Sequence, residues 1–394
     1  MFVPSVHFRD SSSRIDKKAC SNAALVDRPC GTNLSSLWLD VVAVIDNSDG
    51  MTSQSMQSVI ATLSTVFEFG TVIGTDPSNP RTTRVGIVTY NEQATVKADL
   101  DKYQGVTDFA NSVSADIGRA SQNSTSYLET GLAAAEQLFI ATQGTARDYY
   151  KKVIIVFAST YEGNDNLDPV PTAERLTSSG VTIITVAYVQ TANVLRGLEK
   201  VATPHQNFTN AGQENAELIT KIQNSLLQAN CFCGSLWTQY RVSFADEHSQ
   251  KFGVCNQLVN LPANWKSAQI SCRNRFKNAY LANEYNQAKH DFLVASVQKA
   301  GFPQPLSYHI GLFYNVNKWV WDQPEGWNQQ DVSWTYWTPG FPLSSGSNSA
   351  GINYQYNQGA AWKNIPLFTY AANYICEVAS CDTDNFCTAD DYYG

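Results

Sequence analysis

No cysteine falls between residues 31 and 230, although the chain of 394 residues holds nine, at Cys20, Cys30, Cys231, Cys233, Cys255, Cys272, Cys376, Cys381 and Cys387. No CxxC pair occurs, and the five histidines are scattered, so zinc spacing is absent and disulfides in an oxidising compartment are expected instead. Basic residues are also short: 27 Lys and Arg stand against 35 Asp and Glu. A net charge of -8 leaves little to neutralise phosphates, which argues against nucleic acid as a partner. Nor is there an apolar run of the roughly 18 residues that a membrane span needs. The opening MFVPSVHFRDSSSR lacks an apolar leader core, and the expectation is a secreted chain whose signal peptide is missing from this sequence. Sequons at Asn33, Asn123 and Asn207 agree with that expectation and are candidate glycosylation sites.

What is present divides in two, since 394 residues exceed one ordinary core. From about 36 to 230, strand and helix patterns alternate. LWLDVVAVI reads as a strand, and Met56, Val59, Ile60, Leu63, Val66 and Phe67 follow at helical spacing. RVGIVTY and ATVKADL read as a strand pair, LETGLAAAEQLF as a helix, and KKVIIVFAS and VTIITVAYV as buried strands. Val/Ile runs between amphipathic helices predict an α/β, doubly wound, mostly parallel sheet whose ligands gather at the strands' carboxyl ends. The oxygen-rich DNSDG lies at such an end.

Strand, DxSxS-like turn and helix, then a Ser/Thr loop, then a strand followed by a short polar residue, resemble the von Willebrand factor A domain. The resemblance implies an oxygen-ligand Mg²⁺ site completed by a partner's acidic group. Asp46 and Ser48 match its first two positions and Ser126 its threonine. Gly50 replaces the second serine and Ser159 the distal aspartate, so the site is degenerate and expected to hold no ion. Glu162 or Asp165 would have to replace the lost carboxylate, and the plainer reading has Asp46 and Ser48 satisfying backbone donors at a turn. A glycan on Asn123, three residues before Ser126, would cover the same rim.

Beyond Asn230 the chain turns aromatic and loop-rich. PANWKSAQISCRN and ANEYNQAKHDFLVASVQ read as helices, and HIGLFYN, KWVWDQPEGW, TYWTPGFP, AAWKNIP and NYICEV as short strands and turns. Trp265 to Cys272, Ile310 to Leu312, Trp319 to Trp321 and Tyr374 to Glu377 together resemble the landmarks of an α+β C-type lectin-like fold. That resemblance implies Cys272–Cys376, whose loop of about 100 residues is worth roughly 4 to 5 kcal/mol in the chain-entropy picture, and an early Cys233–Cys255 pair. The fold's second core disulfide is absent. Where sugar-binding members ligate Ca²⁺, this chain has Phe341-Pro342-Leu343 and Trp362-Lys363-Asn364, so the usual Ca²⁺-bridged sugar site is not expected. Gln323-Pro324-Glu325 sits too early for that motif and reads as a turn. Phe341, Trp327 and Trp334 are candidates for an exposed ligand-stacking platform, against a plainer reading of the aromatics as core.

The remaining cysteines allow two schemes. Cys381 pairs with Cys387 in both; either Cys20 joins Cys30 and Cys231 is left over, or Cys30 joins Cys231 and Cys20 is free to link a second chain in a covalent dimer. The boundaries predicted are a tail at 1–35, domains at 36–230 and 231–378, and a tail at 379–394. No GxSxG elbow, HExxH helix, P-loop or GxGxxG signature appears, so an enzyme is not expected. The pair of domains resembles secreted nematode C-type lectin proteins with an N-terminal von Willebrand factor A domain. This implies a non-enzymatic recognition protein for a glycan or protein ligand, plausibly of innate immunity, with no cofactor and neither Mg²⁺ nor Ca²⁺ expected; the alternative is a matrix or adhesion protein using its first domain for protein contacts.

Overall fold

The computed structural model describes residues 26–393 apart from 69, 77, 164, 189–190, 212–214 and 345–348. Cys20 therefore lies outside the described residues. The first domain runs β1 (Asp40–Asp46), α1 (Ser53–Glu68), β2 (Arg84–Tyr90), β3 (Ala94–Ala98), α2 (Val106–Ile117), α3 (Leu128–Ile140), β4 (Lys152–Ala158), α4 (Pro169–Ser178), β5 (Thr182–Ala187), α5 (Ala192–Val201), β6 (Asn207–Thr209) and α6 (Asn215–Ala229). Its sheet has the order β3-β2-β1-β4-β5-β6, all neighbours parallel except β3 on β2.

All seven residues of β1 are buried, because the sheet is covered on both faces. Successive side chains point to opposite faces, so Val41, Ala43 and Ile45 join Met56, Val59, Leu63 and Phe67 of α1 in one core. Val42 and Val44 face Leu128, Leu132 and Ala135 of α3 in the other. Gly131 lets α3 approach this second face; a Cβ there would sit 2.6 Å from Val44 Cγ1.

The second domain comprises β7 (Thr238–Arg241), β8 (Lys251–Ala263), α7 (Trp265–Arg275), β9 (Tyr280–Leu281), α8 (Gln287–Lys299), β10 (Ser307–Asn315), β11 (Lys318–Trp321), β12 (Gln330–Asp331), β13 (Ser349–Tyr356), β14 (Gly359–Pro366) and β15 (Ala372–Ala379), with α9 (Ala389–Tyr393) in the tail. The first of its helices starts where Asn264 Oδ1 accepts from Ser267 N at 2.9 Å. The second begins later than the expected helix over 282–298. Asn286 caps it by accepting from Lys289 N, and the five residues before it are extended because Asn283, Glu284 and Tyr285 are drawn into buried hydrogen bonds.

Four disulfides form among the described residues: Cys30–Cys231, Cys233–Cys255, Cys272–Cys376 and Cys381–Cys387. The Cys20–Cys30 scheme is thereby corrected. Entry into β1 and exit from α6 lie side by side, with Trp38 N donating to Asn230 Oδ1 at 3.1 Å, and this brings Cys30 and Cys231 to a Cα separation of 5.8 Å.

The domains share a packed junction. Trp38 packs against Tyr149, Tyr150, Phe232 and Phe386, and its Nε1 donates to Asp382 O. Lys251 Nζ donates to the carbonyls of Gln228 and Cys231 at the end of α6, where cations are favoured.

Lys289 of α8 is wholly buried, with its Nζ 2.9 Å from Asp27 Oδ1 and 3.0 Å from Glu377 Oε2. Burial opposes its charge, but the two carboxylates prevail and raise its pKa above the ordinary value. Lys289→Ala leaves two buried carboxylates without their cation and is expected to lower stability by about 3–5 kcal/mol. Urea unfolding of the purified chain checks this, and an unchanged midpoint contradicts it.

Candidate functional site

At the carboxyl end of β1, Asp46 is fully buried, as is Ser48. Asp46 Oδ1 accepts from Ser48 N at 2.9 Å, while Oδ2 accepts from Ser159 N at 3.0 Å and from Ser159 Oγ at 2.6 Å. Ser159, at the end of β4, thus donates to the carboxylate that an aspartate in its place would oppose. Gly50 completes the arrangement, since a Cβ at this position would lie 2.6 Å from Ser159 Oγ. The small residue and the inward hydroxyl occupy one space between them.

The Ser48 hydroxyl is buried without a protein hydrogen-bond partner, and the buried Ser126 hydroxyl lies beside the Tyr90 phenol. Exposed Glu162 is brought to Ser126, whose N donates to its Oε2 at 3.4 Å, whereas Asp165 forms no hydrogen bond to Asp46, Ser48 or Ser126. A hard divalent cation such as Mg²⁺ needs six oxygens in near-octahedral array. Here the second serine is missing, Asp46 Oδ2 has both lone pairs filled, and Ser159 Oγ blocks the position beside residue 50, so the residues present do not fit the ion. Among the described residues no group of three or more His, Cys, Asp or Glu side chains is placed to hold a metal. Asn123 lies on the same rim, its carbonyl accepting from Asp49 N at 2.8 Å. Asn33 is exposed, while half-buried Asn207 accepts from Thr185 Oγ1.

In the second domain the Phe341–Pro342 bond is cis. Nearby, Asn364 uses Oδ1 to accept from Leu343 N and Nδ2 to donate to Leu343 O, so its amide holds the loop. Lys363 Nζ lies 4.0 Å from the Tyr354 ring centroid and 5.5 Å from that of Phe341. An ammonium over two aromatic rings, with no carboxylate supplied by either triplet, is the wrong setting for Ca²⁺.

The three aromatics of the expected platform differ in their settings. Trp334 is half-buried, stacked on Tyr336 and set edge-on to Trp362. Phe341 belongs to the Lys363 cluster. Trp327 is 67% exposed and follows the turn over Gln323-Pro324-Glu325, closed by its N–H to Pro324 O. It lines a groove of about 420 Å³ with Asp27, Arg28, Tyr280 and Glu377. Asp27 carried no sequence signal, because a lone carboxylate near a terminus shows its partner only after folding.

Beneath the loops, Glu284 is fully buried and accepts from Trp362 Nε1 and Asn353 Nδ2. His290 places Nδ1 2.9 Å from Glu284 Oε2 and Nε2 3.0 Å from Ala360 O. Both partners are acceptors, so the protonated ring can donate from both nitrogens and the setting favours the imidazolium. Burial alone would lower its pKa; Glu284 and the carbonyl raise it instead. His309 is the opposite case: burial takes it down to about 4, and Nε2 donates to Ala263 O.

Residues 40–225 match the von Willebrand factor type A domain, and residues 261–378 match the lectin C-type domain. C-type lectin domain-containing protein 160 of Caenorhabditis elegans is 24% identical over 377 residues, 91% of this chain and 56% of that protein, so the chain spans just over half of its relative's length. Proximal thread matrix protein 1 from the mussel byssus superposes with a TM-score of 0.42 at 18% identity, over 52% of this chain and 51% of that one. Human lithostathine superposes with a TM-score of 0.29 at 19% identity, over 37% of this chain and 99% of its own.

Two outcomes are expected. Gly50→Ser alone overpacks against Ser159 and costs about 1–3 kcal/mol. Combined with Ser159→Asp, it restores the missing hydroxyl and carboxylate and makes the thermal midpoint rise with millimolar Mg²⁺, a rise the wild type does not show; calorimetry of both proteins decides. For His290→Gln, the stability lost relative to wild type is about 3–5 kcal/mol below pH 6.5. It shrinks as pH rises through the higher folded-state pKa, because a raised histidine pKa contributes stability only while the ring is protonated. Urea unfolding across pH 5–9 checks the trend.

Proposed function

We infer the function from what the chain is, a von Willebrand factor type A domain followed by a C-type lectin domain: a secreted, non-enzymatic recognition protein that binds glycans of microbial surfaces without a bridging metal. The observation that carries the metal-free part is the filling of both inherited ion positions from within. Ser159 hydrogen-bonds Asp46 beside Gly50, and Lys363 stands over Phe341 where the triplets offer no carboxylate. Four disulfides support an oxidising, extracellular setting. No helix among the described residues is long and apolar enough to cross a membrane. Use in innate defence is part of the proposal and follows from the ligand class.

The first domain favours one alternative, that of an adhesion protein binding host matrix through its sheet rim, where the Ser48 hydroxyl remains without a protein partner. Binding of the glycosylated chain to immobilised yeast mannan, bacterial peptidoglycan and fibronectin, each in EDTA and in millimolar Ca²⁺ and Mg²⁺, separates the readings. Retention on a polysaccharide, unchanged by EDTA, is the expected result. Retention lost in EDTA overturns metal-free recognition, and retention on fibronectin alone favours adhesion.

A further inference from the structure

We propose that the groove between Asp27 and Trp327 binds an uncharged sugar ring, at a place distinct from the cis-proline loop. The inference rests on the reading of the chain as a glycan-recognition protein and adds the site and the ligand class. The groove is walled by segments remote in sequence, among them 26–28, the turn after β11, and 384–385 of the tail, with β8 and β15 also contributing. Its volume of about 420 Å³ lies within the range of small-ligand pockets, about 300–1,000 Å³.

Two independent observations point to a ligand. Trp327 leaves 67% of its surface exposed at the lip, offering a flat apolar face rimmed by polar groups. Asp27, only 4% exposed, lines the same groove, and while its Oδ1 pairs with Lys289, its Oδ2 takes no hydrogen bond from the protein. A buried acceptor left without a donor is costly; this oxygen is sealed from water here, so an entering hydroxyl group supplies the donor only by displacing the groove wall beside it. A pyranose combines these needs, with an apolar C–H face for the indole and hydroxyl donors along its edge.

Charge selects within that class. Asp27, Glu377 and Asp384 line the groove against a single lining cation, Arg28, with Lys289 buried behind Asp27 and Glu377, so carboxylates outnumber cations. Arg28 is already committed to Asp382 Oδ1 at 2.7 Å and to Gly253 O. The one cation lining the groove is thus partly neutralised, a poor setting for a sulfate, phosphate or sialic acid carboxylate, and acceptors are in excess. The ligand is a sugar that donates hydrogen bonds and carries no negative charge.

The test is tryptophan-fluorescence titration in EDTA of the full chain with mannotetraose, chitotetraose, laminaritetraose and a heparin tetrasaccharide. It compares wild type, Trp327→Ala, Trp327→Phe and Phe341→Ala, with NMR saturation transfer as the readout where the indole itself is removed. At least one neutral tetrasaccharide binds wild type; Trp327→Ala weakens it by about tenfold or more, Trp327→Phe restores most of the affinity, and Phe341→Ala leaves it unchanged. Because Trp327 is exposed, equal thermal midpoints establish that the variants are folded. Neutral-sugar binding that survives Trp327→Ala, or falls with Phe341→Ala instead, overturns this site while leaving glycan recognition standing. Heparin binding as tight as that of the neutral sugars overturns the ligand class. No binding of any probe, together with no retention on mannan or peptidoglycan, overturns both readings.

Discussion

A lysine ammonium removed from water stays charged only if carboxylates surround it, and this requirement at Lys289 ties the ends of the chain to the middle of the second domain. Asp27 lies 262 residues before it in sequence, yet their side chains meet at 2.9 Å. Glu377 belongs to the last strand, Lys289 to the second helix of its domain, and Tyr280 adds a hydrogen bond to Glu377 Oε1 at 2.7 Å. Breaking this knot would uncover two carboxylates in a dry setting, so the segment at 26–28 is held firmly against the lectin-type sheet. Pro29 then bridges to Phe252, and Cys30 is delivered to Cys231. One wall of the groove, the first link of the domain junction and the position of the N-terminal segment follow from one buried charge.

The two positions where the resembled folds hold ions share one physical feature in this chain. A cation site gathers oxygens whose lone pairs the protein leaves open, and each site here has had that openness removed by a donor or a cation of the protein itself. In the first domain Ser159 turns its hydroxyl onto Asp46, and the turn tolerates this because residue 50 has no side chain. These two departures meet in space, since a Cβ at residue 50 would lie 2.6 Å from Ser159 Oγ. In the second domain Lys363 supplies a positive charge held over aromatic faces, and Asn364 directs its amide to the backbone of Leu343.

Legibility in the sequence follows how local the causes are. Strand β1 and the α1 face through Met56, Val59, Leu63 and Phe67 could be read directly, because periodicity reflects burial over a few neighbouring residues. Asp46, Ser48, Ser126, Gly50 and Ser159 follow from the resemblance to the von Willebrand factor A domain, matched residue by residue, and the structure gathers Asp46, Ser48, Gly50 and Ser159 into one closed contact set. The start of α8 was misjudged by five residues, as helical spacing ran on through 282–286 while Glu284 was claimed by Trp362 and His290 from elsewhere. Trp334 and Trp327 were indistinguishable as letters in one aromatic loop. Only the fold shows the first stacked against Tyr336 and the second open at a groove. Asp27 was invisible for the same reason: its role comes from contacts separated by hundreds of residues.

The junction sets how any ligand of the second domain is presented. Trp38 is clamped by aromatic rings from both domains and the tail, Lys151 lies over Phe232 and Tyr392, and His205 meets Asp246 across the domains at 2.9 Å. Apolar packing of this kind, backed by Cys30–Cys231, exceeds the polar contacts that usually leave neighbouring domains free to swing. Recognition by the groove therefore incurs no ordering of one domain against the other, and the entropy that binding must offset is confined to the ligand and the side chains at the lip. A groove walled by 26–28 and 384–385, segments themselves anchored at this junction, is preorganised by the same contacts that fix the domains. Affinity at such a site depends on the fit of a few groups, the Trp327 face and the Asp27 acceptor first among them.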